Sequence, residues 1–253
     1  MSGPLSILDY RQPVEFRIGD VFVKTWGVLT RNFVTFFLLV GIAEIPLLAT
    51  NTWLLADVRR GTVSALMIGL ISMAATFVQL VLTLFAQAVV VFAAFQDLRG
   101  QPVLVADSLR QALRRFLPVI ALSLLMAVVL LLGFMLCLVP GLIALAALQV
   151  ALPACVVERL GPIRSMSRST DLTSGHWWPI LGLLVAFYVI SIIVSYAIRA
   201  ALPYQPVFPF VAASWIWAVL TACFSSVFTA MLYHDLRAVK EGIGIEQIAS
   251  VFD

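Results

Sequence analysis

Long apolar runs, separated by short polar segments, organise the sequence from its first quarter to its end. A helix that crosses the roughly 30 Å hydrocarbon core of a bilayer needs about 20 predominantly apolar residues, and six runs approach or exceed this length. They cover residues 33–55, 63–95, 116–138, 141–157, 177–202 and 208–234. The pattern therefore predicts an all-α polytopic membrane protein with six transmembrane helices.

Two of these runs carry further information. A helix over residues 63–95 would be about 50 Å long, so it must tilt, kink or protrude from the membrane. Between the third and fourth runs, Pro140 and Gly141 leave almost no loop. This pair therefore predicts a tight antiparallel helical hairpin.

A basic stretch with apolar residues at helical spacing precedes the first, third and fifth runs. Such a stretch predicts an amphipathic helix that lies in the membrane interface. The periodic apolar positions are Ile18, Phe22, Trp26, Leu29 and Phe33 before the first run and Val105, Leu109, Ala112 and Phe116 before the third; the last stretch is 161–178. We therefore expect each hairpin to follow a cytoplasmic interfacial helix.

A recurring motif closes each even-numbered run. It reads "AFQDLRG" at 94–100, "LYHDLRAVKEG" at 232–242 and, more weakly, "ACVVERLG" at 154–161. The period is irregular, but a motif that recurs at the end of each pair of runs indicates an internal repeat. We predict one integral membrane domain over 1–253, built from repeat units at about 14–99, 103–160 and 161–237, with a tail at 238–253.

Composition and charge agree with a membrane location. The chain is 62% hydrophobic and 11% charged, far from the roughly one quarter charged residues of soluble domains. If the N-terminus is cytoplasmic, all of the 16 Lys and Arg residues except Arg59, Arg60 and Arg199 fall in cytoplasmic segments. Positive charge is retained on that side, so both termini are predicted to be cytoplasmic.

Glu44 is the one acidic residue inside a predicted span. A charged side chain at the bilayer centre costs on the order of 2.5 to 3.5 kcal/mol or more, so this carboxyl needs compensation. Gln79, Gln87 and Gln149 are candidate polar neighbours. Two interpretations stay open: a proton or cation pathway, or a carboxyl that fixes helix packing or reaches water near the outer surface.

The cytoplasmic ends of the even-numbered spans carry a second group of charges. Asp97, Glu158 and Asp235 occupy equivalent positions in the three repeats. We expect them to form a structural clamp, either with the arginines that follow them or with the basic faces of the amphipathic helices. Those following arginines are Arg99, Arg159 and Arg237.

A candidate headgroup site lies in the stretch before the fifth span. Arg164 and Arg168 are one helical turn apart, and Ser165 and Ser169 are further hydrogen-bond donors. Such a set could bind the phosphate of an anionic phospholipid, whose headgroup lies at about this depth. The alternative is ordinary charge anchoring, in which Asp171 pairs with Arg168.

The sequence predicts no catalytic residue, metal site or cofactor. Cys137, Cys155 and Cys223 lie in apolar spans without paired spacing, and His176 and His234 are the only histidines. A disulfide or a structural zinc site is therefore not expected. No nucleic-acid partner is expected either, and small-residue stripes on the later spans allow a homo-oligomer or a membrane-protein partner.

Three motifs in the second half resemble a known family. They are "VPGL" at 139–142, the P-A-x-V-x-E pattern from Pro153 to Glu158, and the R-S-x-x-L-T-x-G-x-x-W pattern from Arg168 to Trp178. Together with "YHDLRAVKEGIGIEQIA" at 233–249, they are similar to the glycerophosphoryl diester phosphodiesterase membrane-domain family. The resemblance implies a multi-span protein of a bacterial inner membrane.

Some members of that family are fused to a soluble phosphodiesterase barrel with His, Glu and Asp around a metal. This sequence has no such set, so we expect no enzyme activity. The sequence-based hypothesis is a non-catalytic inner-membrane protein that organises lipid or protein partners at the cytoplasmic membrane face. The alternative is a transporter of small solutes or lipids that uses the intramembrane carboxyl of Glu44.

Overall fold

A computed structural model describes residues 18–60, 63–101, 103–202 and 207–241, which form helices and contain no strand. The start of the first predicted repeat unit and the tail beyond Glu241 lie outside these residues. The helices are α1 (Ile18–Arg31), α2 (Phe33–Ala43), α3 (Ile45–Arg60), α4 (Ala65–Leu98), α5 (Val105–Arg114), α6 (Phe116–Leu136), α7 (Leu138–Ala147), α8 (Ala151–Val157), α9 (Pro162–Thr173), α10 (Trp177–Ala201) and α11 (Val207–Glu241).

Within the described residues, 5 helical segments are long and apolar enough to cross a membrane. They are Leu66–Leu98, Phe116–Leu136, Leu138–Val157, Trp177–Ala201 and Phe208–Glu241. The count rises to 6 if α1 and α2, which meet at an angle of 85°, act together as one bent span. The all-helical, multi-pass class predicted from the sequence is therefore confirmed.

The first predicted span is not one helix. α2 ends at Ala43 and α3 begins at Ile45, with Glu44 between them. Pro46 explains the break, because proline has no N–H to donate to the carbonyl of Ile42 and its ring crowds that turn. The flanking bonds survive, since the Glu44 N–H donates to the Val40 carbonyl at 3.0 Å and the Leu48 N–H donates to the Glu44 carbonyl at 3.2 Å.

Two helices exceed the thickness of a bilayer core. α4 has 34 residues and α11 has 35 residues, which gives each a length of about 50 Å. The predicted second span is thus one long helix, capped by Ser64, whose hydroxyl accepts the Met67 N–H at 3.4 Å. α11 continues to Glu241, beyond the predicted end of the last span at residue 234.

The predicted hairpin between the third and fourth spans turns earlier than expected. Cys137, with φ −172° and ψ 160°, is the one residue between α6 and α7, and Pro140 lies in the first turn of α7, where proline is tolerated. The two helices pack closely because both carry glycine at the contact. A Cβ added to Gly133 would lie 3.1 Å from the Cα of Gly141.

The fourth predicted span is also interrupted. α7 ends at Ala147 and α8 begins at Ala151. Pro153 accounts for this break in the same way as Pro46 accounts for the first, because it cannot donate a hydrogen bond to the carbonyl of Gln149. At the same break, the Ala151 N–H donates to the Leu148 carbonyl at 3.1 Å instead of to the carbonyl of Ala147. The Ala147 carbonyl therefore needs a donor from outside its own helix.

Three short helices, α1, α5 and α9, precede α2, α6 and α10. α1 packs on α11, α5 packs on α4, and α9 packs on α8. On α1 the buried side is Val21, Thr25 and Val28, whereas the predicted apolar positions Phe22 and Trp26 are 47% and 58% exposed. α1 therefore has apolar side chains on both its buried and its exposed face.

The buried centre lies where α4, α8 and α11 meet. Small and β-branched side chains allow close approach there, as transmembrane packing requires. They include Ala88, Val90 and Ala94 on α4, Ala154 on α8, and Val227 and Ala230 on α11. α6 and α10 stand outside this centre and expose about half of their large apolar side chains.

The close approach of α6 and α7 predicts that Gly141 cannot be enlarged without loss of stability. A Cβ at this position would lie 2.4 Å from the Phe134 ring, so Gly141→Ala should destabilise the protein by about 1–3 kcal/mol. The measurement is the thermal unfolding midpoint in one detergent. Gly182→Ala is the control, since its added Cβ has nothing within 4 Å. Equal midpoints for the two variants would contradict this packing.

Candidate functional site

One end of the bundle collects the acidic residues predicted as a clamp, and we call it the charged end: Asp97, Glu158 and Asp235 with their partners. Asp97, at the end of α4, accepts a hydrogen bond from Arg31 at 2.6 Å and another from Asn32 at 2.9 Å. Both donors belong to the junction between α1 and α2. Asp97 therefore fixes the point at which the chain turns from α1 into α2.

Asp235, near the end of α11, anchors the other part of α1. Its carboxylate accepts from the ammonium of Lys24 at 2.7 Å and lies 3.0 Å from Nδ1 of His234. Lys24 and Arg31 are two helical turns apart, a distance of about 10 Å along the axis. α1 therefore lies across the ends of both α11 and α4 and is held at each by an ion pair.

Glu158 follows α8 and pairs with α9. Nε of Arg168 donates to both Glu158 oxygens, at 3.0 and 3.1 Å, and the hydroxyl of Tyr233 donates to the same carboxylate at 2.5 Å. The guanidinium of Arg168 also contacts Glu241. Burial acts to lower the pKa of Arg168, but the carboxylates of Glu241 and Glu158 outweigh it and raise that pKa. Arg168 therefore remains a cation that joins three helices.

The partners of the three acids come from the short helices rather than from the arginines that follow each acid. Arg99 takes part in none of these ion pairs, and Arg237 donates to Glu241 at 2.7 Å. The backbone carbonyl of Arg159 accepts from Arg115 at 3.3 Å. The sequence left two sets of partners open for the three acids. The described contacts correspond to the second set, the basic faces of the short helices, here α1 and α9.

The four residues predicted as a headgroup site do not face one point. Ser165 and Ser169 are fully buried, and their hydroxyls donate to the carbonyls of Gly161 at 2.9 Å and Ala147 at 2.6 Å. Arg168 is held by two carboxylates. Only Arg164 is exposed. Because α9 turns its serine face into the bundle, these hydroxyls are not available to a phosphate.

The inward face of α9 has a structural task that the sequence did not reveal. Ser169 and Thr173 both donate to the carbonyl of Ala147, at 2.6 and 3.3 Å, where the break after α7 leaves that carbonyl without a helical partner. An unsatisfied carbonyl in an apolar environment costs several kcal/mol. The motif from Arg168 to Thr173 therefore repairs the helix break and binds the acid that follows α8.

Glu44 is the centre of a separate buried group that we call the Glu44 cluster: Glu44, Gln79 and Thr83. Only 5% of Glu44 is exposed. Its carboxylate accepts from Nε2 of Gln79 at 2.7 Å and from the hydroxyl of Thr83 at 3.2 Å. Thr83 was missed in the sequence, although its position one helical turn after Gln79 places both on the same side of α4.

The other two glutamines predicted near Glu44 lie elsewhere. Gln87 and Gln149 line a cavity of about 180 Å³ among α4, α6, α7, α8, α10 and α11. Nε2 of Gln149 donates to the hydroxyl of Thr229 at 3.2 Å. Of the predicted polar neighbours, the structure brings only Gln79 to Glu44, because Gln87 lies about 12 Å further along α4 and Gln149 lies between α7 and α8.

A larger cavity of about 480 Å³ opens between α1, α2, α10 and α11, and we call it the apolar groove. Its lining is mainly aromatic and aliphatic. The aromatic residues are Phe22, Trp26, Phe33, Phe187, Tyr188, Trp217, Phe224 and Phe228. Thr30, Gln149, Thr221 and Ser225 supply the few polar groups outside these aromatic residues. No sequence pattern indicated the groove, because its walls come from distant parts of the chain.

A third cavity, of about 370 Å³, lies between α3, α10 and α11, and we call it the outer cavity. Its polar side chains are Asn51, Ser195, Arg199 and Ser214. Among the described residues, no group of three or more His, Cys, Asp or Glu side chains is arranged to hold a metal ion. The free cysteines are Cys137, which is exposed, and Cys155 and Cys223, which are buried.

These features define a membrane-embedded protein of helices that crosses the bilayer several times, with its ion pairs at one end and cavities between its outer helices. The profile described as "Domain of unknown function (DUF7847)" matches residues 16–236, so the chain belongs to that family. A search of curated proteins and a search of solved structures gave no match. The family description assigns no activity.

The ion pairs at the charged end predict unequal roles for two neighbouring arginines. Arg168→Gln leaves Glu158 with Tyr233 as its remaining partner, so we expect a loss of about 1–3 kcal/mol of stability. Arg164→Gln, one turn earlier on the exposed side of α9, should change stability by less than about 0.5 kcal/mol. Thermal unfolding midpoints in one detergent compare the two. A larger loss for Arg164→Gln would refute the assignment.

Proposed function

We propose that this protein is a non-catalytic membrane protein that binds phospholipid in the apolar groove and organises lipid at the cytoplasmic face. The groove is the observation that carries the proposal. Its residues come from α1, α2, α10 and α11, and two of these helices are long and apolar enough to cross a bilayer. A groove between such helices is surrounded by lipid, so an acyl chain is its natural occupant.

The length of the groove supports one acyl chain as the ligand. Along α11 its lining runs from Trp217 to Phe228, which corresponds to about 16 Å of helix. This is about half of the roughly 30 Å hydrocarbon core, and therefore about the depth of one leaflet. The volume of about 480 Å³ also falls within the range of about 300–1,000 Å³ that is usual for ligand pockets.

The charges near the groove favour an anionic headgroup. The groove reaches α1, which carries Lys24 and Arg31 with side chains 46% and 63% exposed despite their ion pairs. Each basic residue near an anionic membrane surface gains about 1 kcal/mol from it. We place the headgroup at the level of α1 and the acyl chain along α10 and α11.

The same proposal sets the orientation in the membrane. We propose that the charged end faces the cytoplasm of a bacterial inner membrane, because most Lys and Arg residues lie in segments on that side. Trp26 and Phe22, partly exposed on α1, suit the level of the headgroups, where aromatic side chains concentrate. Both termini would then be cytoplasmic.

A threefold repeat is a further part of the proposal. Each short helix packs on the second half of the preceding unit, and α1 closes the cycle on α11. Lys24 and Arg168, at equivalent positions in the aligned repeats, bind the equivalent acids Asp235 and Glu158. The equivalent position on α5 is Gln111, which is uncharged. Asp97 forms its ion pair with Arg31 instead. This regularity supports three units, each an amphipathic helix followed by a hairpin.

The resemblance to the glycerophosphoryl diester phosphodiesterase membrane domain is compatible with this function and remains part of the proposal. Its motifs, from Pro153 to Glu158 and from Arg168 to Trp178, are the segments that form the contacts between α8 and α9. Their described role is to hold the fold together. We therefore propose a lipid-organising role rather than catalysis for these motifs.

Filling the groove tests the proposed function. Ala186 lines the groove from α10, and Ala186→Trp should occupy the space of an acyl chain and reduce phospholipid retained in native mass spectra. The probes are vesicles of phosphatidylglycerol and of phosphatidylcholine, and stronger retention of the first would support the anionic headgroup. Ala197→Trp is the matched control, because Ala197 is an exposed residue of α10 that lines none of the described cavities.

The two variants separate binding from folding. Equal melting temperatures with lipid lost only from Ala186→Trp would support the groove as the site. Retention of phospholipid by Ala186→Trp at the level of Ala197→Trp would reject it. Loss from both variants would also reject it, because the lipid would then depend on the surface of α10 rather than on the groove.

Orientation can be tested separately with single cysteines. In a background with Cys137 replaced by serine, Arg164→Cys places a thiol on the exposed side of α9. A membrane-impermeant maleimide should label it only after the cells are opened. Labelling in intact cells would place the charged end outside and overturn the assignment.

A further inference from the structure

The Glu44 cluster carries a second inference, which is independent of the lipid proposal. Glu44 occupies a helix break inside the first predicted span, and no described Lys or Arg side chain forms an ion pair with it. It is supported only by two neutral donors, Gln79 and Thr83. An ionised carboxylate in this position lacks a compensating charge, which is costly in an apolar environment.

The Glu44 cluster has fewer donor hydrogens than acceptor atoms. Nε2 of Gln79 lies within bonding distance of Glu44 at 2.7 Å, of Thr83 at 3.0 Å and of the Ala43 carbonyl at 3.4 Å, although it has two hydrogens to give. Oε1 of the same amide is buried and has no partner. A buried acceptor without a donor is rare and costs about 1–3 kcal/mol. A proton on Glu44 would add one donor to the cluster.

The amide of Gln79 can serve both protonation states of Glu44. Toward the carboxylate it donates through Nε2, as the structure has it. After a rotation of the amide by half a turn, Oε1 could accept the O–H of a neutral carboxyl. Both arrangements use the same side-chain position, because the two ends of an amide have nearly the same shape. Gln79 can therefore form a hydrogen bond with Glu44 in either protonation state.

The depth of the Glu44 cluster in the membrane indicates which of the two aqueous phases is nearer to it. Along α4, Thr83 lies about 21 Å and Gln79 about 27 Å from Asp97 at the charged end. These distances place the cluster in the far part of a roughly 30 Å core. On α3, Leu47, Leu48 and Asn51 lie one and two turns after Glu44 on the same face, and all three line the outer cavity.

The surroundings of Glu44 contain few other titratable groups. Cys223 of α11 is the titratable side chain that interacts with it across the helix interface. Arg199 of α10 is the charged residue among the side chains that line the outer cavity. Trp215 of α11 also lines this cavity, and its buried Nε1 has no hydrogen-bond partner. Polar atoms without partners beside a cavity are typical of a place that water enters.

We propose that Glu44 is a proton-binding site that exchanges with the aqueous phase opposite the charged end, through the outer cavity, with Gln79 as the partner of both its states. The ligand is the proton itself. The proposal adds a titratable site to the membrane region and does not require lipid in the apolar groove. The proton-site proposal and the lipid proposal can fail independently, because they are tested by different variants and different measurements.

Infrared difference spectra between acid and alkaline pH test the site on the reconstituted full chain. The wild type should show the loss of a protonated carboxyl C=O band as the pH rises, and Glu44→Gln should lack that component. Asp171→Asn, which removes an exposed carboxylate of α9, is the control and should retain it. Identical difference spectra for the wild type and Glu44→Gln would overturn the proposal.

Gln79→Leu tests the positioning role. It removes the donor and the acceptor while it leaves Glu44 in place, so both the frequency of the carboxyl band and the midpoint of its titration should shift. A role of Gln79 in packing alone would move neither quantity. An unchanged band and midpoint in a folded Gln79→Leu would therefore reject Gln79 as the partner of Glu44.

The wild type alone provides a test that does not depend on the folding of variants. The apolar reagent dicyclohexylcarbodiimide adds to protonated carboxyls: a carboxyl oxygen bonds to the central carbon, and the carboxyl proton passes to a nitrogen. Peptide mapping should locate the adduct at Glu44, with a rate that falls about tenfold per pH unit above the midpoint. An adduct rate that is independent of pH, or no adduct at Glu44, would contradict a reversible proton site.

Discussion

The need to satisfy every polar group without help from water governs this structure. In the bilayer core the backbone and the charges must find partners within the protein. Pro46 and Pro153 interrupt the first and fourth predicted spans. At the second break, Ser169 and Thr173 reach from α9 to the Ala147 carbonyl. The short helix is therefore an internal component of the fold, which explains why its serine face points inward.

The same requirement explains where the charged side chains of the charged end lie. The acids that end α4, α8 and α11 meet cations from α1 and α9, so the ion pairs connect the short helices to the most buried helices. Isolated surface ion pairs contribute little, but Glu158 and Arg168 are mostly buried and share Tyr233 and Glu241 with their neighbours. Removing one member leaves a buried charge uncompensated, which is costly even where the intact pair adds little to stability.

Sequence patterns were sufficient where one local signal determines the outcome. Hydropathy located the five segments from Leu66 onward that are long and apolar enough to cross a membrane, but it placed the first span over residues 33–55, where the structure has α2 and α3 with Glu44 between them. The recurring acid identified the charged end through Asp97, Glu158 and Asp235. The patterns were insufficient where distant segments meet. Hydropathy does not distinguish a serine that faces a headgroup from one that caps a carbonyl 22 residues away, as Ser169 does. Likewise, the sequence does not distinguish Gln79, Gln87 and Gln149 as neighbours of Glu44, and only the packing of α4 against α2 and α3 brings Gln79 to it.

The apolar groove and the outer cavity share a boundary on α11, where Trp217 lines both. The two proposed ligands, an acyl chain and a proton, therefore act on the same interface between α10 and α11. α10 is the least restrained of the long helices together with α6, since few of its side chains are buried. If filling the groove alters the position of α10, it alters the outer cavity as well, and linkage makes that effect reciprocal. If α10 keeps one position whether or not the groove is filled, the two sites are not coupled. A ligand shifts an equilibrium only between states that it binds unequally.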